Sequence, residues 1–154
     1  MWTKFAPNAA PAVKLVVDTN LLLSGTLWRG SPARLVNAVL SAPGTLCLSA
    51  DLIIEFGNVL GRDEFAGRLA SLGVTVSDVM QRYQRLGRRI RAADVAAPPE
   101  LRDLKDLKIL AAAVGAGADA IVSGDNDLLV LKEFTGILII RVEEALQKLG
   151  LPVE

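Results

Sequence analysis

Two aspartates each follow an apolar segment that has the length of a buried strand. Asp18 comes directly after residues 13–17, and Asp125 comes just after residues 120–123. In an open α/β sheet the carboxyl ends of parallel strands meet at one edge, and active sites gather outside that edge. If both segments are central strands of one sheet, the two carboxylates lie at the same edge. The alternative for Asp125, and for the nearby Asp127, is a turn, where aspartate is common for conformational reasons alone.

Two further carboxylates lie among the apolar residues of predicted helices. Glu55 stands between Ile54 and Phe56, and Asp106 precedes a run rich in Leu and Ala. A carboxylate that is buried alone costs free energy unless it is paired or binds a metal, so both positions are candidates for chemistry. The alternatives are a helix-surface position for Glu55 and, for Asp106, a capping role three residues after Asp103 as the N-cap.

The composition excludes several classes of active site. The 154 residues include no histidine, which removes Ser-His-Asp and Cys-His catalysis, paired-histidine ribonuclease chemistry and His-ligated zinc. The one cysteine, Cys47, lies in an apolar segment and is expected in the core, so neither a disulfide nor a thiolate zinc site can form within the chain. The chemistry has to come from carboxylates, hydroxyls, Lys or Arg, or a cation that prefers oxygen ligands.

The elements that must position these groups alternate between strands and helices. Short apolar segments predict strands over residues 13–17, 45–49, 120–123 and 137–140. Helical spacing and caps predict helices from 31 to about 42, from 49 or 51 to 60, and over 64–72, 77–90, 103–116 and 142–149. Because the strands are apolar on both faces, this pattern predicts an α/β fold in which a parallel β-sheet is sandwiched by helices in three α/β/α layers, with a helical hairpin between the two halves.

The chain is predicted to form a single domain over residues 12–150. Residues 1–11 are expected to be a flexible N-terminal tail, because they lack the long apolar segment of a signal peptide. No apolar stretch is long enough to suggest a membrane span, so no membrane partner and a cytoplasmic location are expected. Lys+Arg and Asp+Glu number 17 each, and the resulting zero net charge means that binding of nucleic acid needs a local basic patch.

Four motifs of the sequence resemble those of one family. The first is VVDTNLLLSG at residues 16–25, and the fourth is ADAIVSGDNDLL at residues 118–129. The second comprises Leu48-Ser49, Glu55, Val59-Leu60 and Phe65, and the third comprises Arg102-Asp103, Asp106, Ile109-Leu110 and Ala113. From about Lys14 to Leu146 the chain resembles PIN-domain ribonucleases, in particular the toxins of type II toxin–antitoxin systems.

The resemblance assigns roles to two sets of residues. It implies a catalytic and metal-binding quartet of carboxylates, which are Asp18, Glu55, Asp106 and Asp125. It implies supporting polar roles for Thr19, Asn20, Asp103, Ser123 and Asp127. The third motif departs from the family, which often has Pro where Leu104 stands and Asp where Leu107 stands. The spacing to Ile109 favours Asp106 over Asp103 as the residue nearer the metal.

Mg²⁺ or Mn²⁺ is the expected cofactor of such a cluster. Carboxylates held close together repel one another, and these cations prefer ligands that are all oxygen. The cation would activate a water molecule for attack on a phosphodiester and offset charge on the leaving oxygen. The resemblance implies hydrolysis of single-stranded RNA to a 5′-phosphate and a 3′-hydroxyl, a cognate antitoxin as protein partner, and a homodimer.

Arginines at three- and four-residue spacing give a candidate surface for the RNA. Arg82, Arg85 and Arg89, with Arg88, share a face of the predicted helix over residues 77–90, and Lys105 lies in the third motif. One interpretation is that these side chains follow the phosphates of the RNA. The other is an ordinary solvated helix face.

Other functions share parts of this pattern. A phosphatase of the haloacid-dehalogenase kind needs a second Asp two residues after the first, where this chain has Asn20. A receiver domain needs an acidic pair before its first helix and a Lys after a late strand, and neither stands at the corresponding positions. An RNA-processing nuclease without a toxin role and a non-catalytic interaction module of the same fold both stay open.

Overall fold

Parallel strands form the centre of the fold. The computed structural model describes Trp2, Phe5 and residues 13–152. Its strands are β1 Leu15–Val17, β2 Cys47–Leu48, β3 Arg88–Arg89, β4 Ala120–Val122, β5 Glu133–Phe134 and β6 Ile137–Ile140. One sheet has the order β1-β4-β6-β5, and β2 and β3 form a pair that a parallel bridge between Leu15 and Leu46 connects to β1. All strand pairs are parallel except that of β5 with β6.

The register of the central strands brings their carboxyl ends level. Val17 of β1 pairs with Val122 of β4, and Val122 pairs with Ile140 of β6. The hydrogen bonding continues one residue further, because the N–H of Asp18 donates to the carbonyl of Val122 (2.9 Å) and the N–H of Ser123 donates to that of Ile140 (3.0 Å). The residues that follow β1 and β4 therefore leave the sheet side by side, as the sequence predicts for Asp18 and Asp125.

Helices cover both faces of this sheet. In the described residues they are α1 Thr19–Leu27, α2 Ser31–Ser41, α3 Ala50–Leu60, α4 Ala66–Leu72, α5 Val76–Leu86, α6 Leu107–Ala116, α7 Asn126–Leu129 and α8 Val142–Lys148. Two 3₁₀ turns, Asp63–Phe65 and Leu104–Asp106, precede α4 and α6. None of the helices within the described part of the chain has the length and apolar character needed to cross a membrane.

Alternate residues of the central strands belong to two separate cores. Leu15 and Val17 pack in a core with apolar side chains from α1, α2, α3, α5 and α8. Val16 and Ile121 pack in a second core, most of whose helical residues come from α6. Successive strand side chains point to opposite faces, so strands that are apolar throughout are buried on both faces. The predicted three-layer α/β/α fold with a mostly parallel sheet is confirmed, and Cys47 is buried as predicted.

The helical hairpin of the sequence prediction corresponds to α4 and α5, which lie between β2 and β3 in the chain. Gly73 ends α4 with a φ of 73°, a left-handed conformation that glycine adopts without strain. A capping box between Thr75 and Asp78 then starts α5. α4 packs against α1, and α5 packs against α2 and α3. The hairpin therefore belongs to the same helical layer as α1, α2 and α3.

The prediction of a helix over residues 77–90 is wrong at its C-terminal end. α5 ends at Leu86, and Arg88 and Arg89 form β3. The N–H of Arg88 donates to the carbonyl of Leu46 (2.7 Å), and Ile90 repeats this contact with Leu48 (3.0 Å). Arginine favours helices intrinsically, but the open edge of β2 offers backbone partners that override this preference. The four arginines therefore do not share one helix face.

The sequence analysis also misses β5. Thr135 and Gly136 have φ angles of 48° and 85° and form a two-residue turn between β5 and β6. Positive φ at both central residues is typical of a type I′ hairpin turn, which Asn-Gly and Asp-Gly favour. With Thr at the first position this signal is absent. β6 has the predicted bounds, whereas β1, β2 and β4 are one to three residues shorter than predicted, since pairing stops where the neighbouring strand ends.

The predicted tail over residues 1–11 lies outside the described residues except for Trp2 and Phe5. Both side chains are partly buried against the core that includes Val17 and Leu146. The N–H of Trp2 donates to the carbonyl of Lys148 at the end of α8, and the ammonium group of Lys148 lies 5.9 Å from the centre of the Trp2 ring. Trp2 therefore contacts the end of α8, and the N–H of Phe5 donates to the carbonyl of Trp2 (3.2 Å).

Close packing at Gly115 gives a test of how the segment after β3 lies on α6. A Cβ at this position would collide with the carbonyl oxygen of Arg91 and lie 2.9 Å from the backbone nitrogen of Ala93. Because that nitrogen donates to the carbonyl of Ala111 (2.9 Å), the segment cannot move away without losing this bond. We expect Gly115→Ala to lower the free energy of unfolding by about 2 kcal/mol.

Gly67 in α4 is the matched control, because no atom lies within 4 Å of a Cβ built there. We expect Gly67→Ala to raise the free energy of unfolding by about 0.5–1 kcal/mol through helix propensity alone. Urea denaturation measures both variants. Equal effects of the two substitutions would contradict the close approach at Gly115.

Candidate active site

The carboxylate of Asp18 is fixed through both oxygens at the end of β1. Its Oδ1 accepts a hydrogen bond from the N–H of Asn20 (3.1 Å), which makes Asp18 the N-cap of α1. Its Oδ2 accepts one from the hydroxyl of Ser123 (2.8 Å). The side chain is buried, and this burial raises its pKa. The two hydrogen bonds lower the pKa, while the carboxylates of Asp125 and Glu55 raise it further.

One buried hydroxyl connects the ends of two strands. Ser123 follows β4 and has no exposed surface. It donates to Asp18 and accepts a hydrogen bond from the N–H of Asp125 (3.0 Å). Asp125 accepts in turn from the N–H of Asp127 (2.9 Å) and so begins the short helix α7. The hydroxyl of Ser123 thus positions Asp18 by a bond to its carboxylate and Asp125 by a bond to its backbone N–H.

Asp106 enters the site from the 3₁₀ turn before α6. The side chain is only 8% exposed, and its Oδ2 is buried without a hydrogen-bond partner in the described structure. Burial raises the pKa of Asp106 to about 7, and the carboxylates of Asp125, Asp18 and Asp103 contribute to the rise. A buried carboxylate oxygen without a partner is costly unless a proton or a cation satisfies it. A proton or a cation could therefore be held beside the Oδ2 of Asp106.

The structure distinguishes Asp106 from its neighbour Asp103. Asp103 is exposed, and its Oδ1 accepts a hydrogen bond from the N–H of Lys105 (2.9 Å), a local capping contact. The described contacts include no side-chain bond from Asp106 back to Asp103, so a capping box does not explain Asp106. Both residues border the pocket described below, but only Asp106 is buried in it.

Glu55 reaches the site from the middle of α3. Its Oε1 accepts a hydrogen bond from the hydroxyl of Thr19 (2.7 Å), the first residue of α1. Its Oε2 lies 3.7 Å from the ammonium nitrogen of Lys108 in α6. About a third of the side chain remains exposed. The alternative of a purely surface position is therefore wrong, because Glu55 contacts two other helices.

The four carboxylates of the predicted quartet line one pocket of about 150 Å³. Its walls are formed by Asp18, Thr19, Asn20, Glu55, Val59, Asp103, Lys105, Asp106, Ile109 and Asp125. Asp127 belongs to the same cluster, since one carboxylate oxygen each of Asp106, Asp125 and Asp127 lie within 4.8 Å of one another. Like charges at such distances repel, and oxygen ligands at this spacing suit a hard divalent cation. This acidic group could hold a metal ion.

The predicted RNA-binding residues fall in different places. Lys105 lines the acidic pocket. Arg82 and Arg85 are exposed on α5, where Arg82 borders a separate groove with Tyr83. Arg89, exposed on β3, borders two cavities beside β2 and the start of α3. The structure therefore brings Lys105 to the carboxylates and does not bring the three arginines there.

One charged neighbour of the site, Lys108, is a basic residue near the predicted RNA surface in sequence but is not among the predicted site residues. It stands two residues after Asp106, and the sequence contains no pattern that relates it to Glu55. A weak signal exists nevertheless. A lysine in the first turn of a helix faces the positive end of the helix dipole, which marks it as a residue placed for a reason other than helix stability.

A family model matches this chain, and a solved structure is similar to it. A family model described as PIN domain matches residues 14–127 of the 154. The crystal structure of PAE2754 from Pyrobaculum aerophilum is similar with 22% sequence identity and a TM-score of 0.47, covering 92% of this chain and 98% of that one. No curated protein matches the chain.

The raised pKa of Asp106 predicts how the metal-free protein responds to pH. Because the folded-state pKa of about 7 lies above the ordinary value of 3.8, the proton stabilises the folded state. This contribution is complete below about pH 4 and is lost as the pH rises through 7. In EDTA at pH 8 we expect Asp106→Asn to raise the free energy of unfolding by roughly 2–4 kcal/mol.

Denaturation with urea at several pH values measures this difference. The stabilisation by Asp106→Asn should shrink towards zero near pH 4, where the wild-type carboxyl is also neutral. Asp103→Asn is the control, since Asp103 is exposed and should change stability by less than about 0.5 kcal/mol at any pH. A variant at Asp106 that is no more stable than the wild type at pH 8 would show that the carboxylate is not strained.

Proposed function

The chain belongs to the PIN-domain family, and on this premise we propose that it is a divalent-metal-dependent endoribonuclease that hydrolyses phosphodiester bonds of single-stranded RNA. PIN domains are generally nucleases, so a hydrolase is the class of enzyme that the family supports. The observation that carries the proposal is the buried, unpartnered Oδ2 of Asp106 in a pocket with four further carboxylates. Such a pocket is unfavourable by itself and becomes favourable once a cation is bound.

The donor set of the pocket favours Mg²⁺ or Mn²⁺ as the cation. One carboxylate oxygen each of Asp106, Asp125 and Asp127 lie close together. Asp18 and Glu55 line the same pocket as Asp106 and Asp125. No softer ligand competes, because the chain has no histidine and burial raises the pKa of Cys47 to about 11. A divalent cation bound there lowers the pKa of a water molecule and offsets charge on the leaving oxygen of a phosphodiester.

The protein itself contributes orientation. Both oxygens of Asp18 are already engaged, by Asn20 and Ser123, so this carboxylate is held in one direction and has little freedom to carry a proton. Its role is better described as a fixed anion that helps to place the cation. Thr19 orients Glu55 in the same way from the start of α1. Holding charged groups before the substrate arrives lowers the reorganisation needed in the transition state.

The substrate has to approach a pocket that is strongly negative. Lys105, exposed at the pocket, is the positive side chain among its lining residues, and in this proposal it contacts a phosphate next to the scissile one. Arg82, Arg85 and Arg89 lie further away and would serve only an extended strand. The preference for single-stranded RNA, and the products with a 5′-phosphate and a 3′-hydroxyl, are part of the proposal and rest on the resemblance of the four motifs.

Removal of the cation or of its ligands tests the proposal directly. We expect the purified chain to cleave a fluorescent single-stranded RNA with Mg²⁺ or Mn²⁺ and to lose this cleavage in EDTA. Asp18→Asn and Asp125→Asn should each lower the rate of cleavage by at least about a hundredfold, because each removes a negative charge that attracts the bound cation. Gel analysis of the products gives the rates and the chemistry of the new ends.

Asp94→Asn is the matched control, since Asp94 is an exposed aspartate that does not line the pocket. It should leave the rate within about twofold of the wild type. Cleavage that persists in EDTA, or that both pocket variants retain at full rate, would exclude the metal mechanism. A chain that cleaves no RNA with either cation would instead be a non-catalytic module of the same fold.

The proposed biological role is that of the toxin of a toxin–antitoxin pair, acting in the cytoplasm as a homodimer with a cognate antitoxin. The support for this role is the resemblance of all four motifs to that branch of the family. We expect expression of the chain to arrest bacterial growth and Asp18→Asn to relieve the arrest. Growth curves at matched protein levels measure this effect. If the wild type cleaves RNA but does not arrest growth, an RNA-processing role replaces the toxin role.

A further inference from the structure

Glu55 has a polar partner on each of its two carboxylate oxygens. The hydroxyl of Thr19 donates to Oε1 (2.7 Å), and the ammonium group of Lys108 lies 3.7 Å from Oε2. The three residues belong to α1, α3 and α6, so the contacts connect helices on different sides of the pocket. Glu55 is therefore held between two donors, and one of them carries a full positive charge.

The position of Lys108 in its own helix is an unfavourable one. It is the second residue of α6, a helix whose first turn contains no acidic residue. The positive end of the helix dipole disfavours a cation there. The side chain is 38% exposed, so water screens the charge only in part. Local helix stability does not account for the charge of Lys108, and in the described residues the carboxylate paired with it is that of Glu55.

Glu55 also stands apart from the carboxylates that approach one another most closely. In the described residues that close group consists of Asp106, Asp125 and Asp127, although Glu55 lines the same pocket as the first two. An ammonium group beside Oε2 offsets the charge of Glu55. A carboxylate that is already compensated has less to gain from a metal ion, and the metal has to displace the ammonium group to use that oxygen.

We propose that Lys108 is an internal counter-ion of the acidic pocket, which holds Glu55 when no metal is bound and competes with the divalent cation for that carboxylate. Lys108 thereby weakens the affinity of the pocket for metal while it limits the repulsion among the carboxylates of the metal-free protein. The inference rests on the proposed function, because the pocket concerned is the proposed metal site. It adds a positioning residue that acts through Glu55.

Titration of the purified full chain with Mn²⁺ by calorimetry tests this inference. We expect Lys108→Gln to bind Mn²⁺ about three- to fivefold more tightly than the wild type, which corresponds to the strength of a partly exposed ion pair. A merely structural role of Lys108 would have the opposite sign, since a disturbed pocket binds metal more weakly. Lys108→Arg keeps the charge and should stay close to the wild-type affinity.

Lys105→Gln is the matched control, because it removes the same charge from a lysine that lines the pocket. The ion pair with Glu55 is made by Lys108. Lys105→Gln should change the affinity by less than about twofold. In a Glu55→Gln background, Lys108→Gln should also have an effect below about twofold, since the competed carboxylate is gone.

An affinity that Lys108→Gln leaves unchanged or weakens overturns the inference. Equal tightening by Lys105→Gln, or undiminished tightening in the Glu55→Gln background, overturns it as well, because the effect would then be one of general charge. A wild-type chain that binds no Mn²⁺ overturns the proposed function together with the inference. Binding of Mn²⁺ with no response to Lys108→Gln overturns the inference alone.

Discussion

Repulsion between carboxylates that the fold forces together is the constraint on which the rest of this structure depends. Asp18 and Asp125 are held close together, because β1 and β4 pair up to their last residues and the hydroxyl of Ser123 connects the carboxylate of Asp18 to the backbone N–H of Asp125. Burial raises the pKa of both Asp18 and Asp106, and the neighbouring carboxylates raise the two pKa values further. The sheet therefore stores free energy at its carboxyl edge that a bound cation can release.

The side chains around the pocket limit this repulsion without removing it. Ser123 and the N–H of Asn20 stabilise the charge on Asp18, and Thr19 and Lys108 do the same for Glu55. Asp106 lacks equivalent support on its Oδ2. Hydrogen bonds and an ion pair thus offset the negative charges of Asp18 and Glu55. The negative charge of Asp106, which faces other carboxylates, is not offset in this way. The uncompensated charge therefore lies beside Asp106, where a metal ion could be held.

The two cores decide which elements meet at this edge. α1 packs on the face of the sheet that contains Leu15 and Val17, and α6 packs on the face that contains Val16. α3 contributes Phe56 to the first core and Leu52 to the second, so Glu55 between them is directed to the gap where the two layers come together. Carboxylates from both layers can therefore line one pocket, although no single element carries more than two of them.

A large part of the fold follows from local pattern. Strands that are apolar on both faces predict a buried parallel sheet, and the parallel sheet predicts that Asp18 and Asp125 leave it at one edge. The absence of histidine restricts the ligands to oxygen. Resemblance to the family adds Glu55 and Asp106, which periodicity alone leaves open between surface, capping and catalytic positions.

The remaining features depend on contacts between residues that are distant in the chain. Arg88 and Arg89 form a strand because the edge of β2 offers backbone partners, and no helix propensity reveals that edge. Asp106 differs from Asp103 through burial against Asp125, and Lys108 reaches Glu55 only after α3 and α6 have packed. The sequence by itself determined the alternation of elements and the type of chemistry, because both reside in local spacing and composition. Only the tertiary structure decided which charges face each other, because the electrostatic energy depends on separations of a few ångströms that packing alone sets.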